Sequence, residues 1–130
     1  ILCEQHGKTL WVQINIKNIL ICIDCSFVSQ VNNNLISNAL RYAKSEVHIS
    51  YVSDNNGFYI SVSDNGCGFT KDVLNKATNP YFTEEKDHSE HFGLGLYICK
   101  LLCEHHNGYL KIENTATGAN VSAYFKSPAL

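Results

Sequence analysis

Two asparagines, Asn34 and Asn38, stand four residues apart in "NLISNALRYA". On a helix they share one face, a turn apart. Arg41 and Tyr42 extend that polar strip, beside an apolar one. A neutral amide oxygen in such a strip can ligate a hard cation such as Mg2+, which takes oxygen ligands and few protein groups when phosphates supply the rest. The same pair is also what an ordinary solvated face looks like. Further on, "VSDNGCGF" sets Asp64, Gly66 and Gly68 directly after an alternating apolar run. Glycines let a flat ligand approach the backbone, and a carboxylate beside them suits an exocyclic amino group such as that of adenine. An Asp-Asn-Gly turn needs no ligand to exist, however. "GLGL" (Gly93, Leu94, Gly95 and Leu96) heads an apolar run with helical spacing. The free N–H groups and positive dipole end of a helix opening there favour phosphate. A glycine pair is weak grounds by itself, and His91 and Phe92 precede it where a longer glycine loop would carry another small residue.

These residues need a scaffold, and the apolar periodicity supplies one. "KTLWVQINI" alternates Leu10, Val12, Ile14 and Ile16, which predicts a half-buried strand. "NILICID" reads as a second short strand. From about Ser26, a suitable N-cap, to Ala43 the period becomes helical, with Val28, Leu35, Ile36, Ala39, Leu40 and Ala43 on one broad side. "EVHISYV" and "FYISVS" alternate again around the hairpin signal "SDNNG". A short helix is expected around Asp72 to Ala77, stopping before Pro80, then a polar loop "TEEKDHSEH". A second long helix is expected from about Leu94 to His106, with Leu94, Ile98, Leu101, Leu102 and His105 as its stripe. Asn107 and Gly108 end it, Gly108 suiting a left-handed cap. "YLKIEN" and "NVSAYF" are two more strands joined by "TATG". This order predicts a two-layer α+β sandwich with helices over one sheet face.

Bulk properties narrow the classes. The 130 residues suit one domain. With 45% hydrophobic and 17% charged residues a folded domain is expected rather than disorder. A net charge of -2 argues against a broad nucleic-acid surface. No apolar run approaches a membrane span, and no signal peptide is evident. The chain has no Met, so we expect a domain excised from a longer protein. Six cysteines include the Cys22–Cys25 pair at Cys-x-x-Cys spacing, but no second pair matches it. Reduced thiols are expected, with Cys99 and Cys103 packed on one helix face, in a reducing cytoplasm.

Taken together and in order, the motifs resemble the ATP-binding catalytic domain of sensor histidine kinases, within the group that includes gyrase, heat-shock chaperone and mismatch-repair ATPases. The resemblance runs from about Leu10 to Phe125. "NNNLISNALRYA" is similar to the asparagine box, "SDNGCGF" to the first glycine box, "NPYFT" to the phenylalanine box, and "GLGLYICKLLCEHHNG" to the second glycine box and its helix. It implies a Bergerat-type fold, a mixed, mostly antiparallel sheet covered on one face by helices. It also implies ATP and Mg2+ as ligands. Asn38 would bind Mg2+, supported by Asn34, and both count as catalytic. Asp64 would accept from the adenine amino group. Gly66 and Gly68 would shape its pocket, Tyr42 would pack on or near the base, and Arg41 would lie alongside. Gly93, Leu94, Gly95 and Leu96 would offer amides to the phosphates. Thr83 to Phe92 would be the lid, from which Lys86 either reaches a phosphate or stays a solvated lysine.

Asn34 bears on the reaction. Hydrolytic members usually carry Glu there, a general base for water. Asn takes no proton, whereas a neutral imidazole nucleophile already has a lone pair. Transfer to histidine is therefore favoured, catalysed by positioning and charge neutralisation. None of the six histidines leads a His-Glu amphipathic helix. The resemblance thus implies an acceptor in a dimerisation domain outside this chain, a response regulator downstream, and a homodimeric, membrane-anchored parent with this domain on the cytoplasmic side. Departures at His91, Thr78 and Ala119 leave a degenerate interaction module of the same fold as one alternative; an ATP hydrolase of the same group is another, against which Asn34 argues.

Overall fold

A computed structural model describes residues 7–16, 23–76 and 90–127. Among these residues five strands and three helices follow in the order β1 (Thr9–Asn15), α1 (Cys25–Tyr42), β2 (Glu46–Ser53), β3 (Gly57–Asp64), α2 (Lys71–Lys76), α3 (Glu90–His105), β4 (Tyr109–Asn114) and β5 (Ala119–Lys126). The strands form one sheet in the order β1-β2-β3-β5-β4. Only β1 and β2 run parallel; the other neighbours are antiparallel. The expected mixed, mostly antiparallel sheet under a helical layer is what forms. No helix among the described residues is long and apolar enough to cross a membrane.

The core lies between that layer and one sheet face. Val31, Leu35, Ala39 and Leu40 of α1 meet Leu96, Cys99 and Cys103 of α3 above Val47, Ile60, Val62, Val121, Ala123 and Phe125. On the opposite face, Ser61 and Ser63 donate to Asn120 Oδ1 at 3.0 and 2.7 Å, and Tyr59 stacks on Tyr124. Period-two alternation thus separates an apolar from a polar face.

Several boundaries differ from expectation for local reasons. Asp24, not Ser26, caps α1, its Oδ1 accepting from the Ser26 and Phe27 N–H groups. A carboxylate there also meets the helix dipole favourably. The strand expected over "NILICID" lies largely outside the described residues, while Cys25 already belongs to α1 and is exposed. On β1 only Leu10 is half-buried, while Val12, Ile14 and Ile16 are exposed, because β1 is an outermost strand and α1 packs over β2 and β3. Asn107, at φ 56°, takes the left-handed cap of α3 rather than Gly108. Gly108 is needed for a different reason, since a Cβ there would sit 1.7 Å from Tyr124 O.

Helix α3 begins four residues before the expected Leu94. Glu90, His91 and Phe92 carry no helix breaker, and a single glycine costs only about 1 kcal/mol in a helix. Its buried stripe is Leu96, Cys99 and Cys103; Leu101 and His105 are exposed. Cys99 and Cys103 are buried together, as their spacing predicts.

Candidate functional site

A cavity of about 310 Å3 opens between the C-terminal half of α1 and the end of β3. Leu35, Ala39, Val62, Ala119 and Val121 give it apolar walls, and Asn38, Tyr42, Asp64 and Thr70 place polar groups on it. The size and the mix of apolar wall with few polar groups suit a small organic ligand. Asn38 and Tyr42 reach it because they lie four apart on α1, on one side.

Asp64 is the last residue of β3, so its side chain stands where the strand gives way to the glycine loop. Its Oδ1 accepts from Gly66 N–H at 2.8 Å, and among the described residues the other oxygen takes no hydrogen bond. Burial pushes its carboxyl above the ordinary value, against the opposing pull of Gly66 N–H and of Lys8. Lys8 also donates from Nζ to Leu40 O near the end of α1, satisfying one of the carbonyls a helix leaves free there. The loop passes very close to α1. A Cβ on Gly66 would lie 2.2 Å from Tyr42 O, and Gly68, at φ 82°, occupies the left-handed region. Both positions therefore require glycine.

Two further asparagines hold this loop, and neither was legible as a site residue. Asn65 Oδ1 accepts from Lys44, Ser45 and Glu46 N–H at 3.0, 3.0 and 3.1 Å, fixing the α1–β2 junction. Asn114 accepts from Phe69 N–H at 2.7 Å and donates to Phe69 O at 2.8 Å. Each looks like a turn asparagine until its partners, nineteen or more residues away, are known.

The expected site residues divide accordingly. Asn38, Tyr42, Asp64 and Gly68 gather on one cavity, with Gly66 wedged behind it. Arg41 is exposed and does not line it, since it points away one position round the helix. Asn34 faces α3: a Cβ on Gly95 would lie 3.7 Å from Asn34 Oδ1, and Asn34 approaches the Cys99 thiol. Burial foremost, and Cys103 next, push that thiol up to about 12. Leu96 is buried in the core. Because α3 starts at Glu90, its free amides fall at residues 90–93, so Gly93 is at the edge of that group. The Leu94, Gly95 and Leu96 amides lie deeper, within the helix ladder, which corrects the expectation that "GLGL" opens the helix. Lys86, Thr78 and most of the expected lid lie outside the described residues.

Residues 23–129 match the family described as histidine kinase-, DNA gyrase B- and HSP90-like ATPases. The chain belongs to that family. Sensor histidine kinase CpxA of Escherichia coli K12 is 28% identical over 118 residues, covering 88% of this chain and 26% of that protein. Sensor histidine kinase WalK of Bacillus subtilis is 32% identical over 112 residues, covering 81% and 18%. The chain thus spans about a quarter or less of these relatives. The catalytic domain of histidine kinase ThkA superposes with a TM-score of 0.79 at 21% identity, covering 97% of this chain and 84% of that one, which establishes the shared fold. The ATPase fold of this family accounts for a cavity between helix layer and sheet end. The residues on it fit such ligands: apolar walls with one carboxylate acceptor suit a base such as adenine, and the Asn38 amide oxygen is a hard donor of the kind Mg2+ accepts.

Proposed function

We propose that this domain binds Mg-ATP in the cavity beneath α1 and donates the γ-phosphoryl group to a histidine on a dimerisation domain outside the chain. The observation that carries this is the convergence of Asp64 and Asn38 on one largely apolar cavity. Asp64, with one oxygen occupied by Gly66 N–H, keeps the other for the adenine amino group. The apolar walls sandwich the base, and Tyr42 borders it. Asn38 would hold Mg2+, whose charge offsets that of the phosphates when bound. The domain's own task is then to orient the nucleotide and exclude water from the base.

Asn34 supports transfer over hydrolysis. It offers no carboxylate, and it turns towards Cys99 and Gly95 instead of the cavity, so it supplies no base for water. A response regulator would receive the phosphoryl group in turn, and the parent would be a dimeric sensor kinase with this domain on the cytoplasmic side. The test is to supply γ-labelled Mg-ATP to the parent protein with its acceptor domain. Label should appear on histidine, acid-labile, and vanish in Asn38→Ala. Continuous phosphate release by the domain with no labelled histidine would favour a hydrolase instead. Nucleotide binding without either would favour a non-catalytic module.

A further inference from the structure

We infer that Asn114, at the end of β4, is a positioning residue for base recognition, acting through the loop that follows Asp64. The inference rests on the ATP reading of the cavity. Pairing across the sheet sets Asp64 opposite Ala119 on β5, and Ala119 opposite Asn114 on β4. The three residues therefore stand in one row at the sheet end that carries the cavity, and two of them, Asp64 and Ala119, line it. Asn114 reaches from the far end of that row to Phe69. It takes the Phe69 N–H at 2.7 Å and gives its own amide hydrogen to Phe69 O at 2.8 Å. One side chain thus holds both polar groups of one peptide position, which fixes its orientation as well as its place.

The loop from Asp64 to Phe69 is consequently tied at both ends. Asp64 Oδ1 holds Gly66 at the near end, and Asn114 holds Phe69 at the far end. Between them Gly68 leaves no slack, since a Cβ there would lie 2.9 Å from Asn114 Oδ1 and 3.3 Å from Gly118 O. The β4–β5 turn braces the same loop, because a Cβ on Gly118 would fall 2.0 Å from Asp64 O. Gly68 and Phe69 both face the cavity. With the far tie cut, the floor under the base is held less firmly while Asp64 keeps its Gly66 contact. The carboxylate then meets a less constrained base, and discrimination between adenine and guanine falls along with affinity.

The experiment measures binding of ATP and of GTP, by competition with a fluorescent ATP analogue in Mg2+, to wild type, Asn114→Ala, Asn114→Asp and the exposed control Lys111→Ala. Amide exchange at Phe69 is followed in parallel. Losing a paired amide contact of this kind predicts a roughly three- to tenfold drop in ATP affinity for Asn114→Ala, with a similar fall in the ATP-to-GTP ratio. Phe69 exchange should accelerate. Asn114→Asp keeps the acceptor and loses the donor, so it should fall between, and Lys111→Ala should match wild type. Should Asn114→Ala fail to fold, Asn114→Asp carries the same comparison. A lowered melting temperature with ATP affinity and the ATP-to-GTP ratio both unchanged overturns the inference and leaves the ATP reading standing. A wild-type domain that binds neither nucleotide overturns the ATP reading, and the inference with it.

Discussion

Replacing Asn65 by alanine should loosen the junction on which the cavity depends. Its Oδ1 gathers three backbone N–H groups, from Lys44, Ser45 and Glu46, and its amide donates to Ser45 Oγ at 2.9 Å. A net contribution of roughly 0.5–1.5 kcal/mol is usual for each such bond. Three of the four are solvent-exposed, so water substitutes readily and the low end applies. The four together then contribute about 2 kcal/mol. For a domain of this size that corresponds to a fall of roughly 8 °C in melting temperature. Urea denaturation with an unchanged m-value would report the free energy directly. Asn65→Asp separates the cause, because a carboxylate still accepts all three N–H groups and loses only the Ser45 contact. It should recover more than half of the loss. A cost below about 0.5 kcal/mol for Asn65→Ala, or an Asn65→Asp as damaging as alanine, would refute this role for Asn65.

Three other perturbations follow from the same geometry. Cys25 and Cys67 are exposed, whereas burial first of all pushes the Cys99 and Cys103 thiols up to about 12. At neutral pH, iodoacetamide should therefore label the first two quickly and the buried pair only as the domain opens, read by peptide mass spectrometry. Mg-ATP should protect Cys67, which lines the cavity, and not Cys25; equal protection of both would contradict the site. Gly118→Ala forces a Cβ to within 2.0 Å of Asp64 O, so it should cost about 1–3 kcal/mol in stability and weaken nucleotide binding. An unchanged urea midpoint would count against that packing. Asp64 holds its proton to higher pH when folded than the ordinary 3.8, chiefly through burial. Its contribution is present below the unfolded value and is lost as pH rises through the raised native one. The melting temperature of Asp64→Asn should accordingly rise relative to wild type across that window, and a relative fall would show the sign to be wrong.

The strand and helix order was legible because each element has a clear period: alternating residues in β2, β3 and β5, helical spacing in α1. Four expected site residues converge on the cavity because their positions are set locally, Asn38 and Tyr42 by helix spacing and Asp64 by the strand end before a glycine loop. What stayed hidden depends on distant partners. Nothing near Asn114 announces Phe69, and nothing near Lys8 announces Leu40. Edge placement left Val12 and Ile14 uncovered although their alternation was sound. Gly93 and Gly95 resemble a helix opening in sequence, yet α3 runs back through them to Glu90. The bonding gain of continuing the helix through them offsets their modest cost.

The central claim is that Asp64 and Asn38 together recognise Mg-ATP. It is tested most directly by titrating a fluorescent ATP analogue into wild type, Asp64→Asn and Asn38→Ala, with and without Mg2+. A hydrogen bond to a charged group contributes about 1.5–3 kcal/mol, so Asp64→Asn should weaken binding more than about tenfold at either Mg2+ level. Asn38→Ala should abolish most of the gain that Mg2+ gives wild type. Binding by both variants that matches wild type, with the same response to Mg2+, would contradict the account.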